Sequence, residues 1–150
     1  MNLLPGLIIA VVAAYFTVKL SIKRFRSERW WERKAEAYSV IVEALHHMKN
    51  YCEEEIEAQV THRDLPEEKS KYLSKKLNRG REEIAKATDI GAFIICEEAV
   101  FQLKSLKKNL ESAQGPSIGS YYEYLEAQWS AIDNCLNAIS KIAKKDLNVK

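Results

Sequence analysis

The segment MNLLPGLIIAVVAAYFTV, residues 1–18, contains no charged side chain, and the interpretation of the whole chain starts from it. Lys19 ends this uncharged run, and Leu20 and Ile22 extend its apolar character. A helix rises about 1.5 Å per residue, so roughly 20 apolar residues cross a hydrocarbon core of about 30 Å. The sequence therefore predicts an N-terminal single transmembrane helix.

The charges on either side of this run set its predicted orientation. Cations are absent before it and follow it closely, at Lys19, Lys23, Arg24, Arg26 and Arg29. A cleavable signal peptide has the opposite asymmetry, with its cations first. The positive-inside rule then predicts a single-pass membrane protein, with its N-terminus outside and its body in the cytoplasm. A helix buried in a protein core is the remaining alternative, because protein can also surround an apolar run.

Two sets of residues in and beside the predicted anchor are candidates for function. A small-residue stripe lets helices approach closely in lipid, although Ala and Gly are also simply common in membrane helices. The predicted oligomerisation or pore-facing stripe is Gly6, Ala10, Ala14, Thr17 and Ser21. The predicted membrane-interface residues are Lys19, Lys23, Arg24, Arg26, Trp30 and Trp31. The two tryptophans equally suit packing at the base of the helical body or between subunits.

Composition predicts a globular body behind the anchor. Of 150 residues, 47% are hydrophobic and 29% are charged, which excludes a disordered composition. Residues 1–26 are assigned to the anchor and its basic juxtamembrane segment, and residues 27–150 to a cytoplasmic helical bundle. The net charge of +2 disfavours a nucleic-acid partner. Cys52, Cys96 and Cys135 fall in apolar helical settings and are predicted to be buried hydrophobes.

Apolar residues recur every three or four positions through the body, which predicts about four helices. No Gly or Pro interrupts the chain from Leu7 to Val60, so the anchor should continue into the first of them. A second helix is predicted from Pro66 to Ala87, a third from 97 to 113, and a fourth after the loop GPSIGS, residues 115–120. The inward residues predicted for the second helix are Tyr72, Leu73, Leu77, Ile84 and Ala87. Residues 90–95 are either an extended connector or the start of a helix.

The search for reactive constellations predicts no catalytic, cofactor-binding or metal-binding residues. The sequence has no Gly-rich phosphate loop, no HExxH and no CxxC. Glu43 and His46 form one E-x-x-H, but helical di-iron sites need that motif twice, with further glutamates. The alternative is that one of His46 and His47 lies at the edge of an apolar stripe while the other faces water. The sequence therefore predicts a protein that is not an enzyme.

The segments FRSERWWERKAEAYSVIVEALHHMKNY (25–51), DIGAFIICEEA (89–99) and IAKKDL (142–147) resemble a group of small bacterial membrane proteins. The architecture is similar to that of the membrane-pore accessory proteins of type VI-B CRISPR systems. That resemblance implies a location in the bacterial inner membrane, assembly through membrane helices and cooperation with an RNA-guided nuclease against phage. Its implied partners are the lipid bilayer, further copies of the chain and a cytoplasmic defence protein.

These observations lead to one leading expectation and two alternatives. The leading one is a membrane-anchored homo-oligomer of phage defence that forms or gates a pore. The first alternative is a membrane-tethered scaffold that recruits a cytoplasmic partner. The second is a ribonuclease resembling HEPN bundles, whose active pattern places Arg four to six residues before His. No Arg precedes His46, His47 or His62 at that spacing, which disfavours the ribonuclease.

Overall fold

A computed structural model describes the backbone of residues 3–112 and 120–149, with side chains from Ala14 onward except that of Ala92. The described chain is all-helical. Its α-helices are α1 (Leu3–Thr61), α2 (Glu67–Ile90), α3 (Glu97–Ser112) and α4 (Tyr121–Asp146), and a 3-10 turn, Gly91–Phe93, follows α2. The prediction that the N-terminal segment continues without a break into the body is confirmed, since α1 is one uninterrupted helix.

The predicted transmembrane helix of residues 1–26 requires correction. Within the described residues, no helix is long and apolar enough to cross a membrane. From Ala14 onward, where its side chains are described, α1 carries charged residues at Lys19, Lys23, Arg24 and Arg26, and such charges interrupt the apolar length that a crossing needs. The assignments to the inner membrane, to an outward N-terminus and to a cytoplasmic body are corrected with it. The side chains of residues 1–13 lie outside the described residues.

The chain divides into two compact units, Met1–Arg33 and Lys34–Lys150, and the division falls inside α1. The second unit contains the hydrophobic core. On its part of α1, the spacing of three and four residues buries Tyr38, Ile41, Leu45, Met48 and Cys52, as the sequence predicts. Helices that bury one apolar stripe in this way gain most of their stability from the packing.

α2 lies against α1 at a point where there is no room for a side chain on Gly80. A Cβ atom on Gly80 would come within 2.9 Å of the Ala44 carbonyl oxygen and 3.0 Å of Met48 Cγ. Leu73, Leu77 and Ile84 are buried on the same helix. The prediction that Tyr72 faces inward is wrong, because that side chain is 58% exposed.

The ends of the helices follow from local hydrogen bonding. α1 ends at Thr61, and the next residue, His62, has a φ of 50°, in the left-handed region. The amide of Arg63 then donates to the Ala58 carbonyl at 3.1 Å. The amide of Glu123 donates to Ser120 Oγ at 3.2 Å, so the Ser120 side chain caps the start of α4. Residues 113–119, which include most of the predicted loop, lie outside the described residues.

The chain from 90 to 95 matches neither sequence alternative fully. α2 continues to Ile90, the 3-10 turn occupies Gly91–Phe93, and α3 begins at Glu97. Ile95 is buried, whereas Phe93 is exposed. The segment is therefore a tight corner that places one isoleucine in the core.

A polar cluster joins α1, the corner before α3 and the end of α4. Lys34 Nζ donates to Asp146 Oδ1 at 2.9 Å, and the Tyr38 hydroxyl donates to Asp146 Oδ2 at 2.8 Å. The same hydroxyl lies 3.4 Å from Cys96 Sγ. Burial alone would raise the pKa of Asp146, but the hydrogen bonds from Lys34 and Tyr38 outweigh it and hold that pKa below its usual range.

We predict that Gly80→Ala destabilises the protein, although Ala is the better helix former. The added methyl has to displace the α1 backbone, which costs about 1–3 kcal/mol in unfolding free energy. Ala85→Gly, at an exposed position of α2, is the matched control and should cost about 1 kcal/mol through helix propensity alone. Urea denaturation followed by circular dichroism measures both. A Gly80→Ala variant more stable than the wild type would contradict the close approach.

We also predict that Asp146→Asn lowers stability in a pH-dependent manner. A carboxylate with a depressed folded-state pKa stabilises the fold above its unfolded pKa, and the contribution disappears as pH falls through the folded value. The variant should therefore be about 1–2 kcal/mol less stable at pH 7, with the difference shrinking below about pH 4. Asp89→Asn, on an exposed carboxylate, is the control. An Asp146→Asn deficit that stays constant from pH 7 to pH 3 would refute the ion-pair account.

Candidate functional site

The N-terminal unit presents an unusual surface, because every described side chain from Ala14 to Arg33 is exposed. Lone exposed apolar side chains are ordinary on a protein surface, but a continuous run of them marks an interaction surface. The large apolar side chains exposed here are Tyr15, Phe16, Val18, Leu20, Ile22, Phe25, Trp30 and Trp31. This part of α1 is therefore the strongest candidate for a functional surface.

Four of these side chains share one face of the helix. Tyr15, Val18, Ile22 and Phe25 are spaced by three, four and three residues, which is the narrow apolar seam of a coiled coil. We call these four residues the α1 seam. Charged residues occupy the next two positions of the same spacing, Arg29 and Glu32, and end the seam.

Charged side chains beside the seam pair within the helix. Arg24 Nε lies 2.9 Å from Glu28 Oε1, and Arg29 lies 3.7 Å from Glu32. These pairs are largely exposed and contribute little to stability. Arg29 also lies over the Phe25 ring at 5.3 Å, and Lys19 over the Tyr15 ring at 5.8 Å.

The predicted stripe and interface residues are distributed along this unit. Ala14, Thr17 and Ser21 are exposed on a face neighbouring the α1 seam, whereas the side chains of Gly6 and Ala10 lie outside the described residues. The predicted interface residues Lys19, Lys23, Arg24, Arg26, Trp30 and Trp31 are all exposed. Their assignment to a headgroup layer depended on the transmembrane helix, which the described residues do not support.

The histidines of α1 lie at the edge of the core. His46 is exposed and His47 is half-buried. The sequence alternative in which one of the two lies at the edge of the apolar stripe and the other faces water is therefore correct. His47 Nε2 lies 3.3 Å from Lys76 Nζ and 3.4 Å from Glu43 Oε1. Among the described residues, no group of three or more His, Cys, Asp or Glu side chains is placed to hold a metal ion. This arrangement links α1 to α2 through polar contacts.

A charged and aromatic cluster joins α1 to α4 in the body. Lys49 Nζ lies 2.7 Å from Asp133 Oδ1 and 5.2 Å from the Trp129 ring. Trp129 Nε1 donates to Glu53 at 3.0 Å. The hydrogen bond to Asp133 raises the pKa of Lys49, so its charged form is favoured. Each member already has a partner, and the cluster acts as a clamp between helices.

The cysteines differ in their surroundings. Cys52 and Cys135 are buried, and burial raises the pKa of each thiol to about 11. Cys96 is half-buried beside the Tyr38 hydroxyl. The sequence prediction of three buried small hydrophobes is confirmed for Cys52 and Cys135 and is incomplete for Cys96.

Sequence reasoning missed two features of the described structure. The spacing of the α1 seam is visible in the sequence, but the same residues are accounted for there by the predicted transmembrane helix and its basic flank. A cavity of about 220 Å³ is lined by Met48 of α1, Ile84 of α2 and Leu110 of α3, among others. No local pattern could reveal this cavity, because its walls come from three separate helices.

Comparison with known proteins returns no relative. No protein-family model matches the chain, and no curated protein or solved structure matches it either. The resemblance described from residues 25–51, 89–99 and 142–147 therefore stays a prediction.

We predict that the three thiols react with alkylating reagents in two classes. The thiolate is the reactive form, so burial and a raised pKa should make Cys52 and Cys135 unreactive in the folded protein at pH 8, while Cys96 is modified first. Mass spectrometry after timed treatment with N-ethylmaleimide measures the order. The denatured chain, in which all three should react, is the control. Modification of Cys52 as fast as Cys96 would contradict the packing of α1.

Proposed function

We propose that this chain is a self-associating helical scaffold, in which copies assemble through the α1 seam and the body of residues 34–149 engages a partner. The observation that carries the proposal is the unbroken exposure of α1 from Ala14 to Arg33 with eight large apolar side chains. An isolated helix of this kind is marginal in water unless another surface covers its apolar face. Assembly supplies that surface.

A second copy of the same chain suits the seam better than an unrelated partner. In a heptad with Tyr15 and Ile22 at a and Val18 and Phe25 at d, Glu28 takes a g position and Arg33 the following e position. In a parallel pair, these two residues of neighbouring copies have opposite charges. An antiparallel pair would instead bring the e residues Lys19 and Arg26 of the two copies together. The charges at these g and e positions therefore suit a parallel second copy. Arg29 and Glu32, at the next a and d positions, would each face their own counterpart, so the paired surface ends with the α1 seam.

Large side chains, and not the small-residue stripe, are expected to drive this assembly. Small stripes matter in lipid, where no hydrophobic effect separates one apolar surface from another. In water, the free energy gained on association grows with the apolar area removed from solvent, at about 25 cal/mol per Å². The α1 seam has far more such area than Ala14, Thr17 and Ser21.

The other functions expected from the sequence are not all carried into this proposal. A role in phage defence, with a protein partner, stays a prediction that depends on the sequence resemblance alone. Pore formation is not proposed, because it requires the membrane-spanning helix that was corrected above. No specific observation favours the ribonuclease alternative, and scaffold function without catalysis is the proposal.

Sedimentation equilibrium of the full chain over a range of concentrations tests the assembly. The wild type should be oligomeric, and Ile22→Glu should weaken association at least tenfold, because a buried isoleucine contributes about 1.5–3 kcal/mol and each tenfold costs about 1.4 kcal/mol. Leu20→Glu is the matched control, since Leu20 is exposed on the opposite side of the same helix. It should change association less than about threefold.

Two outcomes would overturn the proposal. One is a wild type that stays monomeric at all concentrations, and the other is a Leu20→Glu variant as weak as Ile22→Glu. Ala14→Leu distinguishes the two faces. This variant should retain assembly through the α1 seam, whereas loss of assembly would assign the contact to the small-residue stripe instead.

A further inference from the structure

The cavity among α1, α2 and α3 has an apolar interior. Met48, Ile84 and Leu110 contribute carbon surface, and Ala85 lies at the wall. Thr88 also lines the cavity, but its hydroxyl donates to the Ile84 carbonyl at 2.7 Å and so is already satisfied. The interior therefore suits a hydrocarbon group and offers it little hydrogen bonding.

The rim of the cavity is charged and unbalanced. Arg81, Lys107 and Glu111 line it, giving a net charge of one positive unit. The ion pairs of the described residues include none made by these three side chains. Arg81 is half-buried. An anion at the cavity would therefore give the Arg81 guanidinium a charge partner that the described ion pairs do not supply.

The size of the cavity limits the ligand. Its volume of about 220 Å³ lies between the roughly 150 Å³ that holds benzene and the roughly 300 Å³ at which drug-sized sites begin. About ten non-hydrogen atoms therefore fit. Glu111 disfavours a doubly charged phosphate, whereas the planar fork of Arg81 matches a carboxylate.

We propose that this cavity binds a medium-chain monocarboxylate, with its hydrocarbon tail against Met48, Ile84 and Leu110 and its carboxylate at Arg81. The site is separate from the α1 seam and does not depend on assembly. Octanoate has about ten non-hydrogen atoms, and at the binding free energy per atom that is usual for small ligands its Kd should be on the order of 1 mM.

Titration of the full chain with sodium octanoate tests the proposal. The protein is labelled with ¹³C at its methionine methyl groups, of which there are two, and the Met48 signal reports directly on the cavity. That signal should shift and saturate. Octan-1-ol, which lacks the charge, should bind at least about tenfold more weakly, since a hydrogen bond to a charged group contributes about 1.5–3 kcal/mol.

Three variants separate a specific site from nonspecific partition. Arg81→Gln should weaken octanoate binding at least about tenfold. Lys75→Gln makes the same charge change at an exposed position of α2 outside the cavity and should leave the Kd within about twofold. Ala85→Leu should fill the cavity and abolish the Met48 shift, while circular dichroism verifies that the fold persists.

The proposal is overturned by any of several results. These are a Met48 signal that does not move at tens of millimolar octanoate, equal weakening by Arg81→Gln and Lys75→Gln, and unchanged binding in Ala85→Leu. Ile22→Glu should leave octanoate binding unchanged, which keeps this test independent of self-association.

Discussion

The body depends on one buried stripe of α1, because core residues of the other helices pack into the same cluster. Tyr38, Ile41, Leu45, Met48 and Cys52 are each at most 2% exposed, and they belong to the cluster that holds core residues of α2, α3 and α4. A continuous helix makes that surface straight and regular, so one face of one element organises the bundle. Large-to-small changes along such a stripe are costly because both sides of the contact lose packing.

Close contact and polar clamps then make the arrangement specific. Gly80 lets α2 approach the α1 backbone near Ala44, which an ordinary side chain would prevent. Lys34, Tyr38 and Asp146 tie the start of the buried stripe to the end of α4. No buried side-chain polar atom of the described residues lacks a hydrogen-bond partner. Such fully satisfied polar groups add direction to a core that hydrophobic burial alone leaves loosely specified.

Sequence periodicity predicted the buried core residues better than it predicted the edges of the apolar stripes, the cavity or the N-terminal segment. The stripe from Tyr38 to Cys52, the start of α4 at Ser120 and the length of α3 follow from local pattern and capping chemistry. Tyr72 was misplaced because spacing alone cannot say which edge of an apolar stripe is covered. The cavity at Met48 and Arg81 was invisible because no sequence window contains its three walls. The first 22 residues were assigned to lipid because an uncharged run has the same composition whichever apolar surface covers it.

The change of environment along α1 is the strongest clue to how this protein acts. Up to Arg33 every described side chain is exposed, and within five residues Tyr38 is 2% exposed. Although the helix continues unbroken across this boundary, none of the described side chains of its exposed part is buried in the core. Helix propensity alone is marginal for such a segment, and its apolar side chains gain nothing from water. Among the described residues none buries the α1 seam, and we propose that a second copy of the chain covers it.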